Sequence, residues 1–206
     1  MRFDRRVFLA SLAATAASAS RAAAQARGPA QPVPEEAYFD GLVDDNGFSF
    51  RKTNLKQIAA RYRRQLVKYI HKEPPGSLVV DTKNHALYVT FENNTALRYG
   101  VGVGRPGFTW AGVKTVSLKR EWPDWTPPAE MIERQPYLPR FMAGGPGNPM
   151  GARALYLGST VYRIHGTNAP DTIGHAVSSG CFRLVNEQIE DLYDRVKVGT
   201  KVVVQQ

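Results

Sequence analysis

One cysteine occurs in the 206 residues, Cys181, set in Ser178-Ser179-Gly180-Cys181-Phe182-Arg183 and preceded by His165-Gly166-Thr167. These residue types suit nucleophilic acyl transfer: a sulfur attacks a carbonyl, an imidazole moves the proton, and backbone N–H groups hold the oxyanion. A thiol of ordinary pKa near ~8.5 needs a base or a cationic neighbour to act at neutral pH. His165 is the candidate base. It closes the apolar run Val161-Tyr162-Arg163-Ile164 and so projects from a strand end, with Gly166 beside it allowing close approach. His175 is the rival base, whereas His71 and His85 stand in polar segments and read as surface residues. Ser178, Ser179 and Gly180 leave room for a substrate and let N–H groups near the sulfur, with Gly180 and Cys181 as candidate oxyanion donors. Arg183 either binds a substrate carboxylate through its bidentate fork or pins the loop to a local acid. A lone cysteine forms no internal disulfide, which leaves a buried small hydrophobe or a reactive thiol.

Two other patterns are weaker. His165, Asp171, His175 and Cys181 are zinc-ligand types, yet there is no H-E-x-x-H and no cysteine pair, so no metal and no cofactor are expected. Gly102-Val103-Gly104-Arg105-Pro106-Gly107 matches the G-x-G-x-x-G fingerprint after a strand. That fingerprint rests pyrophosphate on a helix N-terminus, and here Pro106, Gly107 and Gly112 flank β-formers, so the segment reads as a strand ending in a tight turn.

The elements that must position these residues are mostly strands. Runs at residues 78–81, 86–91, 96–103, 113–118, 154–157, 161–164 and 201–204 have β character, and the first three read as a meander of hairpins. One helix is expected, with Asn186 as N-cap, Ile189, Leu192, Tyr193 and Val196 on one face, and Gly199 at its end. Residues 120–151 form a long Pro-, Gly- and Trp-rich connection. In it, Trp122 and Trp125 either wall the substrate groove or staple the loop to the core. In the basic arm at 37–76, Thr53 or Asn54 caps a short helix through Ile58 and Tyr62, and residues 66–69 fit strand equally well.

The start of the chain carries an address. Arg2, Arg5 and Arg6 precede a small apolar run, and Ala24-Gln25-Ala26 fits an A-x-A cleavage site, so residues 1–26 are expected to be a removed export signal. Arg5-Arg6 suits the twin-arginine route, and the general secretory route leads out of the cytoplasm as well. The run falls short of the roughly 20 residues a membrane span needs, and no cysteine is near for a lipid anchor, so no stable membrane insertion is expected. Residues 27–36 read as a flexible linker. The formal charge is +9 and the chain stays basic without the signal. Export argues against nucleic acid and for an anionic wall polymer as partner, in the periplasm.

His165-Gly166-Thr167 followed by Ser178-Ser179-Gly180-Cys181-Phe182-Arg183-Leu184 resembles the L,D-transpeptidase catalytic domain, or YkuD domain, over roughly residues 77–204. The resemblance implies an α+β, mainly β fold, a sandwich or barrel with few helices, filling residues 77–206. It implies Cys181 as nucleophile, His165 as general base and acid, and the Gly166 carbonyl orienting His165. The implied substrate is the peptidoglycan stem peptide. Attack at the L-centred carbonyl of the third residue releases D-alanine, and the acyl group passes to an amine of another stem or of a wall-anchored protein. Carbapenem-type inhibitors would acylate the thiol. An L,D-carboxypeptidase or endopeptidase using water, and a non-catalytic wall-binding protein, are the alternatives. Ser179 stands where many members of the family carry histidine, which leaves His165 as the one matched base.

Overall fold

Segments rich in β-branched and aromatic residues fit the pleated, half-buried surface of a sheet. The computed structural model describes residues 33–206; the expected signal at 1–26 and residues 27–32 of the expected linker lie outside the described residues. In chain order the strands are β1 (Phe39–Asp45), β2 (Phe48–Thr53), β3 (Gln65–Lys68), β4 (Leu78–Asp81), β5 (Ala86–Thr90), β6 (Thr95–Gly100), β7 (Val103–Gly104) and β8 (Gly112–Glu121). Helix α1 (Ala129–Arg134) precedes β9 (Arg153–Leu157), β10 (Arg163–His165), β11 (Ala176–Ser178) and β12 (Phe182–Arg183). Helix α2 (Asn186–Arg195) and β13 (Lys201–Gln205) complete the order. The fold is thus α+β with sheet dominant.

Nine strands form one sheet in the order β12-β10-β9-β8-β13-β4-β5-β6-β3. The meander expected from sequence is β4-β5-β6, all antiparallel. The last strand, β13, inserts beside β4 in parallel, pairing Val202 with Leu78 and Val204 with Val80. Leu78, Val80, Leu87, Tyr99, Val116, Leu155, Ile164 and Phe182 share one core with Ile189 and Leu192 of α2 and with Val196 just past its end. Burial of each such side chain contributes roughly 1.5–3 kcal/mol, which holds α2 against the strands that carry the site.

Several expectations need correction. The run at 96–103 is interrupted: Val101 N–H bonds the His85 carbonyl and Gly102 pairs with Arg183 instead of continuing β6. Asn186 is not the N-cap of α2. Val185 takes that position, and Asn186 is buried as the first helical residue, its Oδ1 accepting from Ala152 N–H at 3.0 Å. The arm contains no α-helix. It makes a short 3-10 turn at Ala60–Tyr62, the edge strand β3, and the hairpin β1-β2, turned at Asn46-Gly47 with both residues at positive φ. Glu35 and Glu36, assigned to the linker from sequence, begin another 3-10 turn, and both carboxylates pair with Arg51.

The hairpin is fastened to the body by charge and aromatic packing. Asp45 accepts from Arg153 Nη2 at 2.8 Å and from Trp122 Nε1 at 2.8 Å. The Trp122 ring lies 4.9 Å from Phe48 and 5.4 Å from Phe50, and Glu187 of α2 accepts from Thr53 N–H at 2.6 Å. No helix among the described residues is long and apolar enough to cross a membrane.

Candidate active site

Strands β10 and β12 run parallel, with Ile164 opposite Phe182 and His165 opposite Arg183. Side chains alternate between the two faces of a strand. Ile164 and Phe182 turn inward, 0% and 1% exposed. The alternate residues Arg163, His165, Cys181 and Arg183 therefore share the other face, and all four line one groove of about 240 Å³. The far wall comes from the long connection and α1, through Trp125, Pro128, Met131 and Leu138.

Packing behind His165 explains the glycine after it. A Cβ on Gly166 would lie 2.4 Å from Asn186 Oδ1, so the His165-Gly166 backbone reaches α2 only without a side chain. The Gly166 carbonyl accepts from the ring at 2.6 Å. A carbonyl only accepts, so the proton of a neutral ring sits on Nδ1 and Nε2 is the basic nitrogen. Burial, then the positive charge of Arg183, push the His165 imidazole down to about 3, against the pull of the Gly166 carbonyl. Burial pushes the Cys181 thiol up, with Arg163 and Arg183 pulling it down less strongly. The pair rests neutral. No hydrogen bond joins Cys181 Sγ to His165; the thiol faces the Val161 carbonyl at 3.8 Å.

The loop before Cys181 is braced internally. Ser178 Oγ donates to the Cys181 carbonyl at 2.6 Å and accepts from Gly180 N–H at 3.1 Å. Two expectations change as a result. Gly180 N–H, read as an oxyanion donor, is already engaged, whereas Cys181 N–H has no partner among the described residues. Ser178, read as a substrate contact, uses its hydroxyl within the loop, although it and Ser179 border the groove. The glycine-rich segment finds its role here. Gly102 and Arg183 exchange two backbone bonds of 2.9 Å, Arg105 N–H bonds the Ser178 carbonyl at 3.0 Å, and a Cβ on Gly104 would lie 3.3 Å from Gly180 Cα. Gly104 lets backbone approach the nucleophile loop, and no helix follows the segment to hold a phosphate.

Of the two tryptophans read as groove walls, Trp125 lines the groove and Trp122 does not. Trp122 is 7% exposed and belongs to the hairpin cluster, because Asp45 and two phenylalanine rings satisfy its N–H and its faces. His175 is exposed and lines a different cavity with Tyr62 and Asp171. Among the described residues no group of three His, Cys, Asp or Glu side chains is placed to hold a metal.

Sequence reasoning missed Arg105 and Arg163. Together with Arg183 they give the groove three guanidinium groups among the described residues, and no carboxylate of the described residues lines it. The Nε atoms of Arg163 and Arg183 are buried without a partner, and burial lowers the Arg183 pKa. Arg163 was findable, since it lies two residues before His165 on a strand and so on its face. Arg105 carried no comparable signal.

The fold and the groove together define a β-rich domain with a histidine at the end of one strand and a cysteine just before the parallel strand beside it. The family model of the L,D-transpeptidase catalytic domain, YkuD, matches residues 75–204, and the chain belongs to this family. It is 44% identical over 123 residues to the protein named "Probable L,D-transpeptidase ErfK/SrfK" of Escherichia coli (strain K12), covering 56% of this chain and 39% of that protein. It is 39% identical over 136 residues to "Probable L,D-transpeptidase YbiS" of the same strain, covering 62% and 43%. L,D-transpeptidase 3 from Mycobacterium tuberculosis superposes with a TM-score of 0.53 at 20% identity, over 65% of this chain and 62% of that one, a likeness of fold. The chain spans about two fifths of the length of the two Escherichia coli relatives.

Proposed function

We propose that this protein is a peptidoglycan L,D-transpeptidase working through a thioester on Cys181. The observation that supports this reading most is the β10-β12 register, which sets Cys181, His165, Arg163 and Arg183 on one groove face. Cys181 Sγ attacks the L-centred carbonyl carbon of the third stem residue while its proton passes to His165 Nε2, and the carbonyl oxygen takes the negative charge beside Cys181 N–H. Collapse breaks the C–N bond, and His165 returns the proton to the nitrogen of the departing D-alanine. An incoming amine then attacks the thioester, His165 accepts its proton, and the C–S bond breaks to restore the thiol. The acceptor is the amine of a second stem or of a wall-anchored protein.

Three arginines suit a stem peptide, whose free carboxylates outnumber its cations, and a neutral resting pair suits a nucleophile that gives up its proton only when substrate is seated. The fit of residues 1–26 to an export signal supports a periplasmic site of action, where the polymer lies. Intact-protein mass after exposure to a carbapenem tests the nucleophile: one adduct on the wild type and none on Cys181→Ala is expected. An unmodified wild type, or an undiminished adduct on Cys181→Ala, overturns the assignment. Muropeptide analysis with tetrapeptide stems tests the acceptor, with new cross-links expected; trimmed tripeptides alone would assign the protein as an L,D-carboxypeptidase.

A further inference from the structure

The Gly180 carbonyl accepts a hydrogen bond from Trp110 Nε1 at 2.8 Å. That carbonyl and Cys181 N–H belong to one peptide unit, which is planar and trans, so the two groups point in opposite directions. Whatever fixes the carbonyl aims the N–H. Of the donors beside the sulfur, Gly180 N–H is engaged by Ser178 and Cys181 N–H is not. Building on the acyl-transfer reading above, we propose that Trp110 is a positioning residue for the oxyanion site: its indole N–H locks the 180–181 peptide with Cys181 N–H directed away from the indole and toward the groove.

The lock is needed because the peptide hinges on a glycine. Gly180 sits at φ +106, a region L side chains rarely adopt, and a glycine there has other backbone states within reach. A side chain cannot restrict it, since a Cβ on Gly180 would lie 2.5 Å from Tyr162 Cε1. The indole supplies the restraint from outside. It is stacked on Tyr162 with centroids 4.6 Å apart and planes 12° apart, and it packs 5.6 Å from Phe182 beneath the loop. An indole N–H only donates, so its acceptor must be the carbonyl, and the opposite orientation of the peptide would leave that donor unpaired. Tyr162 directly precedes β10 and Phe182 opens β12, so the same aromatic cluster ties the peptide to both strands of the site.

The test separates oxyanion stabilisation from placement of the sulfur. Acylation by a carbapenem passes through an oxyanion, whereas alkylation by iodoacetamide displaces iodide at a tetrahedral carbon and forms none. Removing an oxyanion donor outright costs about 100- to 1000-fold in rate, so loosening its orientation should cost about 10- to 100-fold. In the full chain, Trp110→Phe keeps an aromatic ring on Tyr162 and deletes the N–H. Carbapenem acylation should fall by that factor, with iodoacetamide alkylation of Cys181 within about twofold of wild type. If Phe unsettles the fold, replacing the Trp110 indole by its benzothiophene analogue keeps the shape and removes the N–H alone. Unchanged acylation, or equal loss of acylation and alkylation, overturns the proposal. A wild type that alkylates normally and never acylates would instead overturn the acyl-transfer reading on which it rests.

Discussion

Two regions of the molecule are each fastened by one indole N–H, and they use it differently. In the hairpin β1-β2, Trp122 donates to Asp45, itself paired with Arg153, and two phenylalanine rings enclose the indole. In the nucleophile loop, Trp110 donates to a backbone carbonyl one bond from Cys181. The first satisfies a charge and holds an element to the body. The second restrains a single peptide next to the reacting atom. Residue type and hydrogen bond are alike; the partner decides whether the contact secures the fold or aims the chemistry.

The comparison predicts that lesions in the two regions separate rate from stability. The largest expected loss is at His165. His165→Gln removes the one imidazole that lines the groove among the described residues and should slow carbapenem acylation about 100- to 10000-fold, with the melting temperature little changed. Comparable acylation by this variant would remove His165 from the mechanism. The wild-type pH profile sharpens the same point. An imidazole lowered to about 3 stays unprotonated and free to accept a proton as pH falls, so acylation should persist through pH 5 and fail only below it. An acid limb near the ordinary ~6.5 of histidine would show that the site opens to water before reaction.

Next in size is the hairpin. Asp45→Ala strands the Arg153 guanidinium and leaves Trp122 N–H unpaired, and should destabilise the protein by about 2–3 kcal/mol, seen as a lower melting temperature with normal acylation below it. The charged partners hold the Asp45 pKa below its usual value, chiefly through Arg153. A depressed carboxylate contributes stability above its unfolded pKa and loses it as pH falls through the folded one. Wild type should therefore lose this contribution in acid below about pH 4, and the variant should not. A variant that melts like wild type would show the hairpin to be dispensable. The smallest effect is at Arg163. Arg163→Gln should weaken stem-peptide binding about tenfold, as a raised KM with kcat within about twofold, through loss of a charge-assisted contact; a fall in kcat alone would place Arg163 with the reacting atoms instead.

Much of this was legible in the residues. Strand content, the β4-β5-β6 meander, the apolar face of α2 and the candidacy of Cys181 and His165, which line one groove, follow from periodicity and local chemistry, which act over a few residues. Asn46-Gly47 is also a plain hairpin signal, hidden only while the arm is searched for helical spacing. What the chain determined by itself was the set of reagents and the β character of their supports. Tertiary structure alone decided the rest. Asn186 bonds Ala152 instead of capping its helix, Trp122 leaves the groove for Asp45, Gly180 N–H turns to Ser178, and Gly102-Val103-Gly104 cradles a loop instead of a phosphate. Each of these depends on a partner distant in sequence or on which of several nearby acceptors a donor reaches. Side-chain type leaves that choice open, and only the packed fold, in which buried polar groups must find partners, makes it.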